Sequence, residues 1–168
     1  FEKHMYLATR GLDNDFFMYF EEADWFWRLT LLGKKFSFAH SVNLYHAGAG
    51  TTKAAIRYNL FLWRNENIPQ MLIKNYSLPM LCIALPLYLV QNILEIVFFL
   101  AIGKFTIAYT YLHGWLFTVQ HLSNTLIKRR WIQKHRTVSE IEVLKKMYLG
   151  PSKLVGLVQF LKNTYHLW

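Results

Sequence analysis

Cysteine and acidic residues are scarce in this sequence, and both shortages restrict what the chain can be. The 168 residues include one cysteine, Cys82, so an intrachain disulfide is excluded and a reducing compartment is favoured. Only ten residues are acidic; six of them lie among the first 24 positions, and residues 101–168 hold only Glu140 and Glu142. An acidic head and a basic tail indicate two environments rather than one uniform nucleic-acid-binding surface.

The chain also lacks internal repeats, low-complexity tracts and a recognisable signal peptide. It begins at Phe1 and reaches a cluster of carboxylates almost at once, which predicts a fragment whose upstream half is missing. Apolar material, by contrast, is abundant: 54% of the residues are hydrophobic and 17% are aromatic. That is more than the core of a small domain needs, and it allows a membrane-associated part beside a folded domain.

Glu21, Glu22 and Asp24 follow an aromatic run and form the most unusual motif of the chain. Three carboxylates within four residues repel one another, so the fold needs a reason to gather them. Acids in the first turn suit the helix dipole, and the i,i+4 spacing of Asp24 and Arg28 predicts an ion pair. On the residues alone, a solvated helix start is one interpretation, and a site for a metal, a proton or a sugar hydroxyl is the other.

Periodicity and breaker residues predict the remaining elements. Asn and Asp residues at 13–15 predict a turn, and Gly33 suits a helix end. The predicted elements are helices over residues 21–32, 53–68, 78–103, 137–149 and 152–168, and two strands over Lys35–Ala39 and Val42–His46.

The segment from Leu78 to Gly103 is apolar apart from Gln91, Asn92 and Glu95. A helix of about 20 apolar residues crosses the hydrocarbon core of a bilayer, so this segment predicts a span. The second apolar stretch, Ile107–Ile127, is diluted by polar residues and fits either a span or an interfacial helix.

A dense basic cluster occupies residues 128–136. The positive-inside bias places such a cluster on the cytoplasmic side, where it is expected to contact anionic lipid. Nucleic-acid binding is not expected, because no RNA- or DNA-binding module accompanies the cluster.

The block Gly11–Arg28, followed by Gly33 and Tyr45-His46, resembles the C-terminal part of the catalytic domain of family 2 glycosyltransferases. The rhamnosyltransferase-like branch, bacterial enzymes that build cell-surface polysaccharide, is the most similar. The resemblance covers residues 1–65 in motif detail and continues loosely through the apolar segment and the basic tail.

This resemblance implies an α/β fold, the C-terminal part of a GT-A-like nucleotide-sugar transferase domain, followed by an α-helical membrane-associated tail. It implies inverting transfer from a nucleotide-diphosphate sugar to a glycan or a lipid-linked acceptor. Glu22 stands where the family has its catalytic base, usually Asp, with Glu21 beside it. His46 matches the family's metal-contacting histidine, and the other ligands of a divalent cation, Mn or Mg, are expected upstream. The acceptor-side or structural residues are Asp24, Trp25 and Arg28.

Processive synthases of this family carry Gln-x-x-Arg-Trp before the membrane segment. Here Arg130-Trp131 follows the apolar segments and Ile127 occupies the glutamine position, so a processive synthase is not expected. The predicted organisation is a catalytic part over residues 1–68, transmembrane or interfacial helices over 69–127, and a basic cytoplasmic helical tail over 128–168.

The sequence therefore predicts a transferase at the cell membrane with its catalytic part in the cytoplasm, inactive as this fragment alone. Two alternatives remain open. One is a non-catalytic membrane protein whose acidic head binds another protein. The other is a small transport component in which Glu95 handles a proton or an ion within the membrane.

Overall fold

The structure, a computed structural model, describes residues 3–35, residue 37 and residues 55–145, and in these residues all regular secondary structure is helical. The predicted α/β fold class is therefore wrong for the described part of the chain. Most of the apolar side chains there recur at the spacing of one helix face, and the helices that carry them pack against one another. The helices are α1 (Lys3–Ala8), α2 (Glu21–Leu31), α3 (Ala55–Asn75), α4 (Leu78–Ala101), α5 (Phe105–Gln120), α6 (Leu122–His135) and α7 (Glu140–Leu144).

The two strands predicted from the sequence fall almost wholly outside the described residues. Of the predicted strand Lys35–Ala39, the structure describes Lys35 and Ser37, and neither is in regular secondary structure. The predicted strand Val42–His46 lies entirely outside the described residues, as does the predicted helix over 152–168.

Helix α2 confirms the predicted helix over residues 21–32 to within one residue. Gly33, with a φ of 69°, adopts the left-handed conformation just beyond its end, which is the usual place for glycine at a helix C-terminus. The amides of Gly33 and Lys34 donate to carbonyls of the last turn, those of Thr30 (3.0 Å) and Leu29 (2.9 Å). These bonds satisfy carbonyl groups that the helix leaves without partners.

Helix α3 is the centre of the fold, because it packs against α2, α4, α5 and α6. Its buried face combines apolar and polar side chains, and several of the polar ones are paired with side chains of other helices. The Asn65 amide donates to Thr110 Oγ1 of α5 at 2.9 Å, and Thr125 of α6 donates to Gln70 Oε1 at 3.2 Å. A buried polar group is tolerated only when it is hydrogen-bonded, so these pairs fix which helices α3 contacts. The buried polar residues of α3 are Asn65, Asn67, Gln70, Lys74 and Asn75.

The predicted end of this helix before Pro69 is wrong, since α3 continues through Pro69 to Asn75. Proline has no amide proton, so the Asn65 carbonyl cannot receive the usual hydrogen bond from residue 69. Helix α5 packs onto that carbonyl through Gly114, where a Cβ atom would lie 2.4 Å from the Asn65 oxygen. Helix α5 therefore contacts α3 at the carbonyl that Pro69 leaves without its usual helical hydrogen bond.

Helix α4 coincides with the predicted apolar segment, and among the described residues it is the one helix long and apolar enough to cross a membrane. At 24 residues it measures about 36 Å. The second apolar stretch does not form one helix, because α5 ends at Gln120 and α6 begins at Leu122. With 16 residues, α5 is about 24 Å long, shorter than the roughly 30 Å hydrocarbon core.

The chain divides into two compact units, residues 1–138 and residues 139–168. In the second unit the structure describes α7, which begins with a capping box: the Ser139 hydroxyl accepts from the Glu142 amide, and the Glu142 side chain accepts from the Ser139 amide. Helix α7 lies within the predicted helix over 137–149 but begins three residues later, because residues 137–139 are not helical, and it ends at Leu144. In the first unit, α3 runs without interruption across the predicted boundary between residues 68 and 69.

Candidate functional site

The start of α2 is held in place by a strained turn and by α3. Tyr19 and Phe20 both have positive φ, 66° and 69°, a conformation that is costly for side chains of this size. The Asn67 amide of α3 donates to the carbonyls of Met18 (3.0 Å) and Tyr19 (2.8 Å). These two bonds offset the strain and set the position from which the three carboxylates project.

Asp24 is completely buried, and its carboxylate has three partners. Arg28 Nε lies 2.9 Å from Oδ2, so the predicted i,i+4 pair is confirmed. Lys74 Nζ (3.1 Å) and the Asn75 amide (2.8 Å), both from the end of α3, contact Oδ1. Asp24 therefore joins α2 to α3 and is not accessible to a substrate.

Arg28 and Trp25 connect α2 to the turn that follows α1. The Arg28 guanidinium donates to the carbonyls of Thr9 (2.9 Å) and Gly11 (2.6 Å). The Trp25 indole is buried and donates to Thr9 Oγ1 at 3.0 Å. Both side chains are thus buried and hydrogen-bonded within the fold, and neither presents an exposed surface on which a sugar ring could stack.

Glu21 and Glu22 occupy different environments although they are adjacent in the sequence. Glu22 is exposed, and no described residue forms an ion pair or hydrogen bond with its carboxylate. Glu21 is half-buried, and its Oε2 atom is buried without a hydrogen-bond partner among the described residues. The predicted base Glu22 is therefore free to accept a proton from an outside group.

A second charged cluster, which sequence reasoning missed, surrounds Asp13 and Asp15. The predicted turn is confirmed, since the Asp15 amide donates to Asp13 Oδ1 at 3.0 Å. Lys74 and Lys128 both contact the Asp13 carboxylate, and Lys128 Nζ lies 2.6 Å from Asp15 Oδ2. Burial by itself raises the pKa of Asp13, but the two lysines and the Asp15 amide outweigh it and lower that pKa to about 2.

This cluster forms one wall of a cavity of about 220 Å³ between the first loop, α2, α3 and α6. Its lining includes four cationic side chains against two carboxylates. No local motif could have revealed it, because its members are up to 121 positions apart in the sequence. The charged and aromatic lining residues are Arg10, Asp13, Asp15, Arg28, Lys74, Lys128 and Trp131.

The basic cluster over residues 128–136 is divided between the interior and the surface. Arg129 donates to the carbonyls of Ile73 and Tyr76 (2.7 Å to the latter), and Gln133 donates to those of Lys74 (3.0 Å) and Asn75 (3.1 Å). These side chains satisfy the free carbonyls at the end of α3. The exposed members are Arg130, Lys134 and His135.

The described residues do not fit a divalent cation. His46, the predicted metal ligand, lies outside them, and within them no three His, Cys, Asp or Glu side chains are grouped as metal ligands. Asp13 and Asp15 have the spacing of a two-carboxylate motif, but both are occupied by ammonium groups. A cation at these two carboxylates would have to displace Lys74 and Lys128.

Comparison with known proteins finds no matching family model, no matching curated protein and no matching solved structure.

Proposed function

We propose that this chain is the membrane-associated, acceptor-side part of an inverting glycosyltransferase, with Glu22 as the general base. The observation that carries the proposal is that the three neighbouring carboxylates differ in burial and in pairing. Asp24 is buried and neutralised, Glu21 is half-buried, and Glu22 alone is exposed at the start of a helix whose position is fixed by buried ion pairs. A carboxylate that is unpaired and rigidly placed is what a general base requires.

In the proposed reaction Glu22 accepts the proton of an acceptor hydroxyl as its oxygen attacks the anomeric carbon of the donor sugar. The bond from that carbon to the leaving nucleoside diphosphate breaks on the opposite side, so the configuration is inverted. Phe17, which is 76% exposed, lies in the loop that leads into α2 and offers an apolar ring to the face of a sugar. Its ring is steadied by Trp63, with the two centroids 5.3 Å apart.

The acceptor is proposed to be a glycan or a lipid-linked glycan at the cytoplasmic face of the cell membrane. Helix α4 supports a location at the membrane, because most of its large apolar side chains are exposed along a length sufficient to cross a bilayer. The exposed cations of α6, Arg130 and Lys134, would favour anionic lipid.

The base is tested by comparing Glu22→Gln with the wild type in membranes that contain the intact protein. Nucleoside diphosphate release is measured with a panel of nucleotide-diphosphate sugars, and donor binding is measured separately. Loss of a general base lowers kcat by roughly 10²–10⁴-fold, while donor affinity should stay within about twofold. Glu142→Gln, which alters another exposed glutamate in the first turn of a helix, is the matched control.

Two outcomes would contradict the proposal. If Glu22→Gln turns over at the wild-type rate, Glu22 is not the base. If no donor supports transfer by the wild-type protein, the acidic surface is better explained as a binding site for another protein.

A further inference from the structure

Arg10 has an unusual position at the mouth of the charged cavity. It is exposed, and its backbone is left-handed, with a φ of 61°, which costs free energy for a residue other than glycine. Its guanidinium carbon lies 4.5 Å from the centre of the Trp131 ring, a cation–π arrangement. No described residue accepts a hydrogen bond from this guanidinium, so its five N–H groups remain available.

The strained turn that carries Arg10 is fixed from both sides. Arg28 binds the carbonyls of the preceding Thr9 and the following Gly11, and the Gly11 amide donates to the Tyr6 carbonyl at 2.8 Å. A Cβ atom on Gly11 would lie 2.3 Å from the Tyr6 ring, and its φ of 51° is strained for any residue with a side chain, so glycine is favoured there. The fold thus places Arg10 at the cavity before any ligand arrives.

Lys128 supplies a second cation with spare bonding capacity. Two of its three N–H groups are directed to Asp13 and Asp15, which leaves one for a ligand. The lining contains four cations and two carboxylates, and Asp24 behind it pairs with two of these cations, Arg28 and Lys74. Cations still outnumber carboxylates by four to three when Asp24 is counted. The cavity therefore retains a net positive charge.

We propose that this cavity binds a phosphate group. A planar guanidinium binds two phosphate oxygens at once, and an ammonium group binds a third as a point charge. The volume of about 220 Å³ admits a phosphate together with the first atoms of its ester. The proposal goes beyond glycosyl transfer and is independent of Glu22, because binding can be measured without turnover.

The phosphate can belong to a lipid headgroup or to a free phosphate ester, and two probes separate these sources. The full chain is purified in detergent and titrated calorimetrically with inorganic phosphate and with dihexanoyl phosphatidic acid, a water-soluble lipid. Acetate serves as the anion without phosphate. Binding of both phosphate probes indicates a general phosphate site, and binding of one alone identifies the source.

Arg10→Gln is expected to weaken phosphate binding at least tenfold, because it removes a charge-assisted bidentate contact. Arg10→Lys keeps the charge but not the planar fork and should give an intermediate affinity. Lys134→Gln, an exposed cation on α6 outside the cavity lining, should bind as the wild type does. Circular dichroism and thermal unfolding establish that each variant is folded.

Three results would overturn the proposal: no binding of either phosphate probe by the wild type, equal binding of acetate, or unchanged phosphate affinity in folded Arg10→Gln.

Discussion

Lys74 Nζ lies 3.1 Å from Asp24 Oδ1, with both side chains almost completely buried, at 1% and 0% exposure. The same ammonium group contacts Asp13, so one lysine at the end of α3 joins α2 to the loop before it. A buried charge is tolerated only when it is paired. The position of α2, and with it that of Glu22, therefore depends on Lys74.

We expect Lys74→Met to lower the free energy of unfolding by about 3 kcal/mol, because it leaves two buried carboxylates with fewer partners. Urea denaturation of the purified chain in detergent measures this change. Lys134→Met removes the same charge from an exposed site and should cost less than about 0.5 kcal/mol. Equal losses of unfolding free energy in the two variants would show that the buried ion pairs of Lys74 add no stability.

Replacing Gly114 tests the close packing of α5 on α3. In an isolated helix, alanine is more stable than glycine by about 1 kcal/mol. Here we expect Gly114→Ala to destabilise by about 1–3 kcal/mol, since its Cβ would lie 2.4 Å from the Asn65 carbonyl oxygen. Gly103→Asn is the control, because that glycine has open space around it and a left-handed φ that asparagine tolerates. A thermal unfolding scan ranks the two variants, and a more stable Gly114→Ala would rule out the close contact.

Acid should weaken the fold through Asp13. Its pKa in the folded chain is about 2, below the ordinary value of 3.8, so its ion pairs stabilise the fold fully above about pH 4. That contribution is lost as the pH falls from about 4 to about 2. Asp13→Asn should be less stable at pH 6 and should lose less stability than the wild type across this range. Unfolding free energies measured from pH 6 to pH 2 give the two curves, which would be parallel if Asp13 were not involved.

A charge in the middle of α4 should oppose its insertion into a membrane. Val90 is 55% exposed near the centre of this helix, and a lysine there costs roughly 2.5–3.5 kcal/mol in a bilayer. We expect Val90→Lys to reduce strongly the fraction of the protein that stays with membranes after a carbonate wash. Ile141→Lys, at a 66% exposed apolar position of α7, should leave that fraction unchanged. Retention of Val90→Lys at the wild-type level would argue against a span.

The sequence by itself determined those features that depend on neighbouring residues. The bounds of α2 and α4, the turn at Asp13 and the pairing of Asp24 with Arg28 follow from local period, breaker residues and i,i+4 spacing. The α/β interpretation was wrong for the described residues because it came from the resemblance of residues 1–65 to a family with that fold, whereas the long apolar segments have helical period and form helices.

Only the tertiary structure decided which charges meet. Lys74 reaches Asp13 across 61 positions and Lys128 reaches it across 115, and no periodicity marks such partners in a sequence. The continuation of α3 through Pro69 was equally unpredictable, because α3 is held there by packing against α5, which approaches the Asn65 carbonyl closely at Gly114. Burial makes these distant pairings obligatory: a charge or a carbonyl removed from water must find a partner, and the partner is whichever group the packed helices bring to it.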